Sequence, residues 1–166
     1  MSTPLINIQD VIDFADLSVN IKEKKYNQYI ISAQDRFLSD LIGIDCLDGL
    51  IDRKCSNTLT IEDNALLDLI KPYLVSYSYS LYVGSSMKLS LNSGVATLNG
   101  DNATVIGQQS RTRESKSYVL LAERQGLKIL TFLSDNSTLY PCYTVPTCGT
   151  EINTHNPYFG LWYKNY

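Results

Sequence analysis

The four cysteines and the single histidine are the residues of this chain with the sharpest chemistry. Cys46, Cys55, Cys142 and Cys148 contain no C-x-x-C pair. A zinc site needs four ligands. Cys142, Cys148 and His155 supply three, at a spacing that matches no common zinc pattern. The cysteines read instead as free, partly buried thiols of a chain kept in a reducing, cytosol-like space. One histidine without a paired nucleophile argues against a Ser/His or Cys/His triad. No phosphate-binding loop, G-x-G-x-x-G or G-x-S-x-G occurs. Asp10, Asp13 and Asp16 stand at i, i+3, i+6, where three carboxylates could meet a divalent cation but more simply form a solvated acidic face. Asp45, Asp48, Asp52 and Asn57 lack the D-x-D-x-D-G spacing of a calcium loop. Arg111, Arg113, Lys116, Arg124 and Lys128 could face a phosphate backbone. Glu114 and Glu123 lie among them, which favours a surface helix with local ion pairs. No catalytic, cofactor or metal site is expected, and no enzymatic activity.

Those side chains are carried by 166 residues, the size of one domain. Hydrophobic residues at 44% suffice for a core, and charged residues at 19% are too few for long disorder. No apolar run reaches the roughly 18 residues of a membrane span. Met1-Ser2-Thr3-Pro4 lacks the basic start and apolar run of a signal peptide. A net charge of −3 and a pI near 5.1 exclude a strongly basic nucleic-acid binder.

Ile8, Val11, Ile12 and Ala15 recur at helical spacing and predict a short helix over 7–17, with Asn7 as its cap. Over 21–42, Tyr26, Tyr29, Ile30, Ala33, Phe37, Leu38, Leu41 and Ile42 share one face, and Gly43 is a stop. Residues 44–59 show little periodicity and read as an acidic loop. Thr60 caps a second long helix, with Glu62 and Asp63 in its first turn. Leu66, Leu69, Ile70, Tyr73, Leu74, Tyr77 and Leu81 form its stripe, and Pro72 is expected to cost a hydrogen bond and bend it. Residues 75–83 also alternate as a strand would, but the i, i+4 series favours helix. Two short β-prone runs flank Asn99-Gly100-Asp101-Asn102, predicting a hairpin or flap near 92–108. A third long helix spans 111–134, with Tyr118, Leu121, Ala122, Leu127, Ile129, Leu130 and Leu133 on its apolar face. Gly126 should weaken it by about 1 kcal/mol relative to alanine. Asp135-Asn136 and Pro141 end it.

The expected fold is mainly α: a small bundle of three long helices with a short N-terminal helix, a small β-hairpin or flap, and an extended C-terminal arm. The helical body covers 1–136 and the arm 137–166. Twelve of the aromatic residues are tyrosines. Tyr26, Tyr29, Tyr73, Tyr77 and Tyr118 lie on helix faces and read as core, whereas the face of Tyr79 and Tyr82 depends on whether 75–83 is helical. Tyr140, Tyr143, Tyr158, Phe159, Trp162, Tyr163 and Tyr166 lie in a stretch with no periodicity and with Pro141, Pro146 and Pro157. So much aromatic area must be buried on something. Either the arm folds back on its own helices or it docks on a neighbouring protein, and the second case makes these seven residues a partner interface. Charge is also split. Residues 1–83 hold twelve acidic and seven basic side chains, a balance of −5, and the remainder balances at +2. These are either ordinary solvated faces or complementary surfaces on neighbouring copies.

Several stretches together carry a family resemblance. They are the segment 6–14, the helix 26–42 with Gln34-Asp35-Arg36-Phe37-Leu38, and the helix 66–82. Leu91-Asn92-Ser93-Gly94-Val95, the closing Leu130-Thr131-Phe132-Leu133-Ser134-Asp135-Asn136, and Tyr140-Pro141-Cys142-Tyr143 complete the set. In this order the chain resembles the head–tail connector (adaptor, or head-completion) proteins of tailed bacteriophages, in the branch found in phages of gut Bacteroidales, including crAss-like phages. The resemblance covers most of 5–145. It implies a homo-oligomeric ring, usually of twelve subunits, beneath the portal protein. Helices would line a channel through which double-stranded DNA passes without sequence-specific binding. Arms would reach the portal or a tail or second neck-ring protein. It implies a virion protein of the head–tail junction, made in the host cytoplasm, with no cofactor and no membrane. The competing reading, from the basic third helix, is a small nucleic-acid-binding or regulatory helical domain.

Overall fold

The computed structural model describes residues 3–15, 23–85, 96–99, 102–105 and 108–143, and they are mainly helical. The first helix, α1 (Ile8–Ala15), begins at a reciprocal cap. The Asp10 amide donates to Asn7 Oδ1 at 2.9 Å and the Asn7 amide to Asp10 Oδ2 at 2.8 Å. Asp10 is thus a capping residue and Asp13 accepts from Gln9, while Asp16 lies outside the described residues.

The next rod runs without a break through α2 (Glu23–Ala33), a π-helical turn (Gln34–Leu38) and α3 (Ser39–Ile42). Side chains serve the carbonyls of the wide turn. Tyr73 Oη donates to the Phe37 carbonyl at 2.9 Å and Ser39 Oγ to that of Asp35 at 2.6 Å. Gln34, fully buried, ties down the N-terminal segment, accepting from the Leu5 amide and donating to the Thr3 carbonyl. Gly43 stops the rod at φ 86°, a conformation costly to residues with a Cβ.

The expected acidic loop at 44–59 is corrected to a helix, α4 (Ile44–Cys55). Only Cys46, Leu47 and Leu50 are buried on it, too few to register as a stripe. Its ends did carry a signal, since Asp45 lies in the first turn and Arg53 and Lys54 in the last, as the helix dipole favours.

Helix α5 (Ile61–Ser85) is the centre of the bundle and packs against α6 (Gln108–Asp135), α2 and α1. Residues 73–80 are all buried. Burial on every side explains the strand-like alternation there, because the intervening serines are interior too. Ser76 Oγ donates to the Pro72 carbonyl, Ser78 Oγ to that of Val75, and Ser80 Oγ meets Ser115 Oγ at 2.8 Å. The helix continues through Pro72, whose missing hydrogen bond is offset by packing. Between α5 and α6 the chain forms β1 (Ala96–Asn99) and β2 (Asn102–Val105), paired antiparallel with Ala96 opposite Val105.

On α6, Ala122, Gly126, Ile129 and Leu133 face the core. Leu127, expected on that face, is instead 65% exposed. The buried set runs i, i+4, i+7, i+11, and position 127 lies about 100° from Gly126 around the helix. Gly126 serves a close approach of helices, since a Cβ there would stand 3.2 Å from Tyr73 Cε2 and 3.6 Å from Leu41 Cδ2. Gly126→Val is expected to destabilise the chain by about 1–3 kcal/mol through overpacking. A urea titration that gives an unchanged midpoint would refute this close packing.

Candidate interaction surfaces

Most of the polar chemistry inside the bundle is consumed by structure, although the buried Tyr140 hydroxyl has no hydrogen-bond partner among the described residues. Thr60 and Asp63 form a second reciprocal cap at the start of α5. The same carboxylate, 4% exposed, accepts a two-pronged bond from Arg53 of α4, Nε to Oδ2 at 2.8 Å and Nη2 to Oδ1 at 2.9 Å. Burial alone would raise the Asp63 pKa. The bonds from Arg53 and the Thr60 amide outweigh it and hold the carboxyl below its ordinary value. Tyr79 Oη donates to Glu114 Oε1 at 2.6 Å and its ring lies 4.3 Å from that of Tyr118. Burial, then the Glu114 carboxylate, push the Tyr79 pKa upward. Tyr26, Tyr29 and Tyr82 form a mutually touching cluster with centroids 5.3–5.9 Å apart, and Phe37 stacks on Tyr77 at 4.1 Å.

The cysteine expectation is corrected. Cys46 and Cys142 form a disulfide that joins α4 to the segment after α6. Cys55 is a free, exposed thiol and Cys148 lies outside the described residues. Spacing could not reveal the bond, since the partners are 96 residues apart and meet only because α6 returns the chain to α4. A zinc site using Cys142 is thereby excluded for the bonded form, and His155 lies outside the described residues. Among the described residues no group of three His, Cys, Asp or Glu side chains could hold a metal.

Two of the seven expected interface aromatics are described. Tyr140 is 4% exposed, its ring 6.2 Å from Phe132. Burial, then nearby Asp63, push its hydroxyl pKa up to about 12. It belongs to the chain's own core. Tyr143 is half-buried against the same core. Residues 137–143 thus fold back on the body. Tyr158, Phe159, Trp162, Tyr163 and Tyr166 lie outside the described residues.

The outer surface carries what the interior does not use. Arg113, Lys116, Arg124 and Lys128 are exposed on α6, and among the described residues none has an ion-pair partner. The local pairing expected from Glu114 and Glu123 is therefore not formed. Glu114 is engaged by Tyr79 and Glu123 is half-buried. Arg111, expected in the same cluster, is buried. Leu120 and Leu127 lie exposed between these cations. On α4, Ile44, Asp45, Asp48 and Asp52 are exposed together. Sequence reasoning missed this second surface because it read the segment as a loop. Open clefts lie along α6, one lined by Gln109, Ser110, Thr112, Arg113 and Lys116, the other by Leu127, Lys128, Thr131, Phe132 and Asp135. No helix among the described residues is long and apolar enough to cross a membrane.

No curated protein and no solved structure matches the chain. A model of a family of unknown function, DUF6712, matches residues 38–153, most of its length and all of α3 to α6; the chain belongs to that family.

Proposed function

We propose that this protein is a structural subunit of a tailed-bacteriophage neck. In this reading about twelve copies form a ring below the portal protein, extend the channel through which double-stranded DNA passes, and present an attachment surface for the tail or a second neck ring. The chain is made in the host cytoplasm and works at the head–tail junction of the virion, without catalysis.

One observation carries the reading, the division of polar groups between interior and surface. Inside, most carboxylates and hydroxyls are matched to partners of the same chain, with the buried Tyr140 hydroxyl an exception. Outside, a basic face with exposed leucines and an acidic face have no ion-pair partner among the described residues, as in a subunit whose partners are other chains. The succession of short helix, long rod, central helix and basic helix is the order on which the resemblance was drawn, with α4 standing where an acidic loop was expected. The β1–β2 pair would act as a flap against a neighbour, and the aromatic arm from 146 onward would dock on the portal. A disulfide suits a protein that ends in an oxidising exterior such as a virion surface.

The test is co-assembly with a portal protein from the genome that carries this chain, imaged by electron microscopy. The full chain should form rings on the portal. A chain lacking 146–166 should keep its helical circular dichroism and fail to attach. Complete necks from the truncated chain would remove the arm from this account. The unpaired cations of α6 also favour a second reading, nucleic-acid binding. Tight DNA binding by filter assay, with a steep loss in salt, would support it over the ring.

A further inference from the structure

We propose that the outer face of α6 docks on the outer face of α4 of a second copy of this chain. This rests on the ring reading above and names the surfaces that would meet. The α6 face presents Arg113, Lys116, Arg124 and Lys128 around Leu120 and Leu127, which are 57% and 65% exposed. Positions 113, 116, 120, 124 and 127 fall within about 80° of one another on the helix. The α4 face presents Asp45, Asp48 and Asp52 beside Ile44, which is 65% exposed. These four positions span about 100° of their helix.

The faces are opposite in charge, and each exposes apolar surface, two leucines among the cations of α6 and one isoleucine at the N-terminal edge of the acidic face of α4. The leucines and the isoleucine would be buried by the contact, and the charges would set orientation and reject like-charged pairings. Among the described residues neither the three aspartates nor the four cations have an ion-pair partner, whereas Arg53 of α4 is turned to Asp63. A second copy fits this better than DNA, because two exposed leucines between the cations have no partner on a phosphate backbone. Contact between unlike faces is heterologous, so each copy keeps one face of each kind free, and repetition closes a ring or extends a filament.

Sedimentation velocity on the full-length chain tests the pairing. Wild type should associate with rising concentration, and less so at high salt. Two triple variants reverse one face each, Asp45→Lys/Asp48→Lys/Asp52→Lys and Arg113→Glu/Lys116→Glu/Arg124→Glu. Each should lower the association constant at least about tenfold. Their equimolar mixture should associate again, because every junction between unlike variants joins a basic to an acidic face: the unaltered α6 of one meets the unaltered α4 of the other, and the two reversed faces meet each other. Such recovery can come only from folded chains. The pairing is overturned by a wild type that stays monomeric at every concentration, by variants that associate as wild type does, or by a mixture that does not recover. Saturable DNA binding lost in the α6 variant would overturn it too. A chain monomeric alone but found in rings on the portal would sink this pairing and leave the ring. Association through these faces in a chain that never joins a portal would do the reverse.

Discussion

Replacing Cys142 by serine is expected to lower the stability of the oxidised chain by about 2–5 kcal/mol. The bond it removes links residues 96 apart. In the chain-entropy account, closing a loop of about 100 residues restricts the unfolded ensemble by roughly 4.7 kcal/mol. Cys142 is the cleaner site, because Cys46 is buried and serine there would add an interior hydroxyl. At roughly 2–4 °C per kcal/mol for a chain of this size, thermal melts should separate clearly. Reductant should bring wild type down to the variant and leave the variant unmoved. Superimposable melts with and without reductant would show that the bond contributes nothing. Loss of the bond should also loosen residues 139–143, so hydrogen exchange around Tyr140 is expected to rise in the variant.

Asp63→Ala should cost about 2–4 kcal/mol, combining a lost helix cap with a broken, largely buried ion pair. The upper end is discounted because Arg53 is 37% exposed and water can solvate the cation left behind. Asp63→Asn keeps an acceptor for the helix start and removes the charge, so it should lose distinctly less. The sign of the pH effect follows from the depressed carboxyl. Its contribution is complete above the ordinary aspartate value of 3.8 and is lost as pH falls through the lower folded value. The stability gap between wild type and Asp63→Ala should therefore shrink as the solution is acidified below 3.8. Denaturant titrations at a series of acidic pH values check it. A gap that widens toward acid would contradict the assigned pairing.

The site was less legible than the fold. The sequence places Asp63 in the first turn after the Thr60 cap, yet nothing near it in sequence announces Arg53 as its partner. The basic side chains of α6 were visible as a cluster, but the burial of Arg111 and the capture of Glu114 by Tyr79, 35 residues away, depend on the packing of α5 on α6. The acidic face was hidden inside a segment read as loop, because α4 buries only three apolar side chains and is held by its ends.

What the sequence determined by itself is local. Helical stripes, the Asn7 and Thr60 caps and the Gly43 stop follow from side chains acting on backbone within four residues, so spacing alone reveals them. The tertiary structure decided everything that joins distant segments. It set the Cys46–Cys142 bond, the close approach at Gly126, the burial of Tyr140 and the exposure of Leu127. Those depend on which helix lies beside which. That choice is made by burying many side chains at once, and no single stretch of the chain records it.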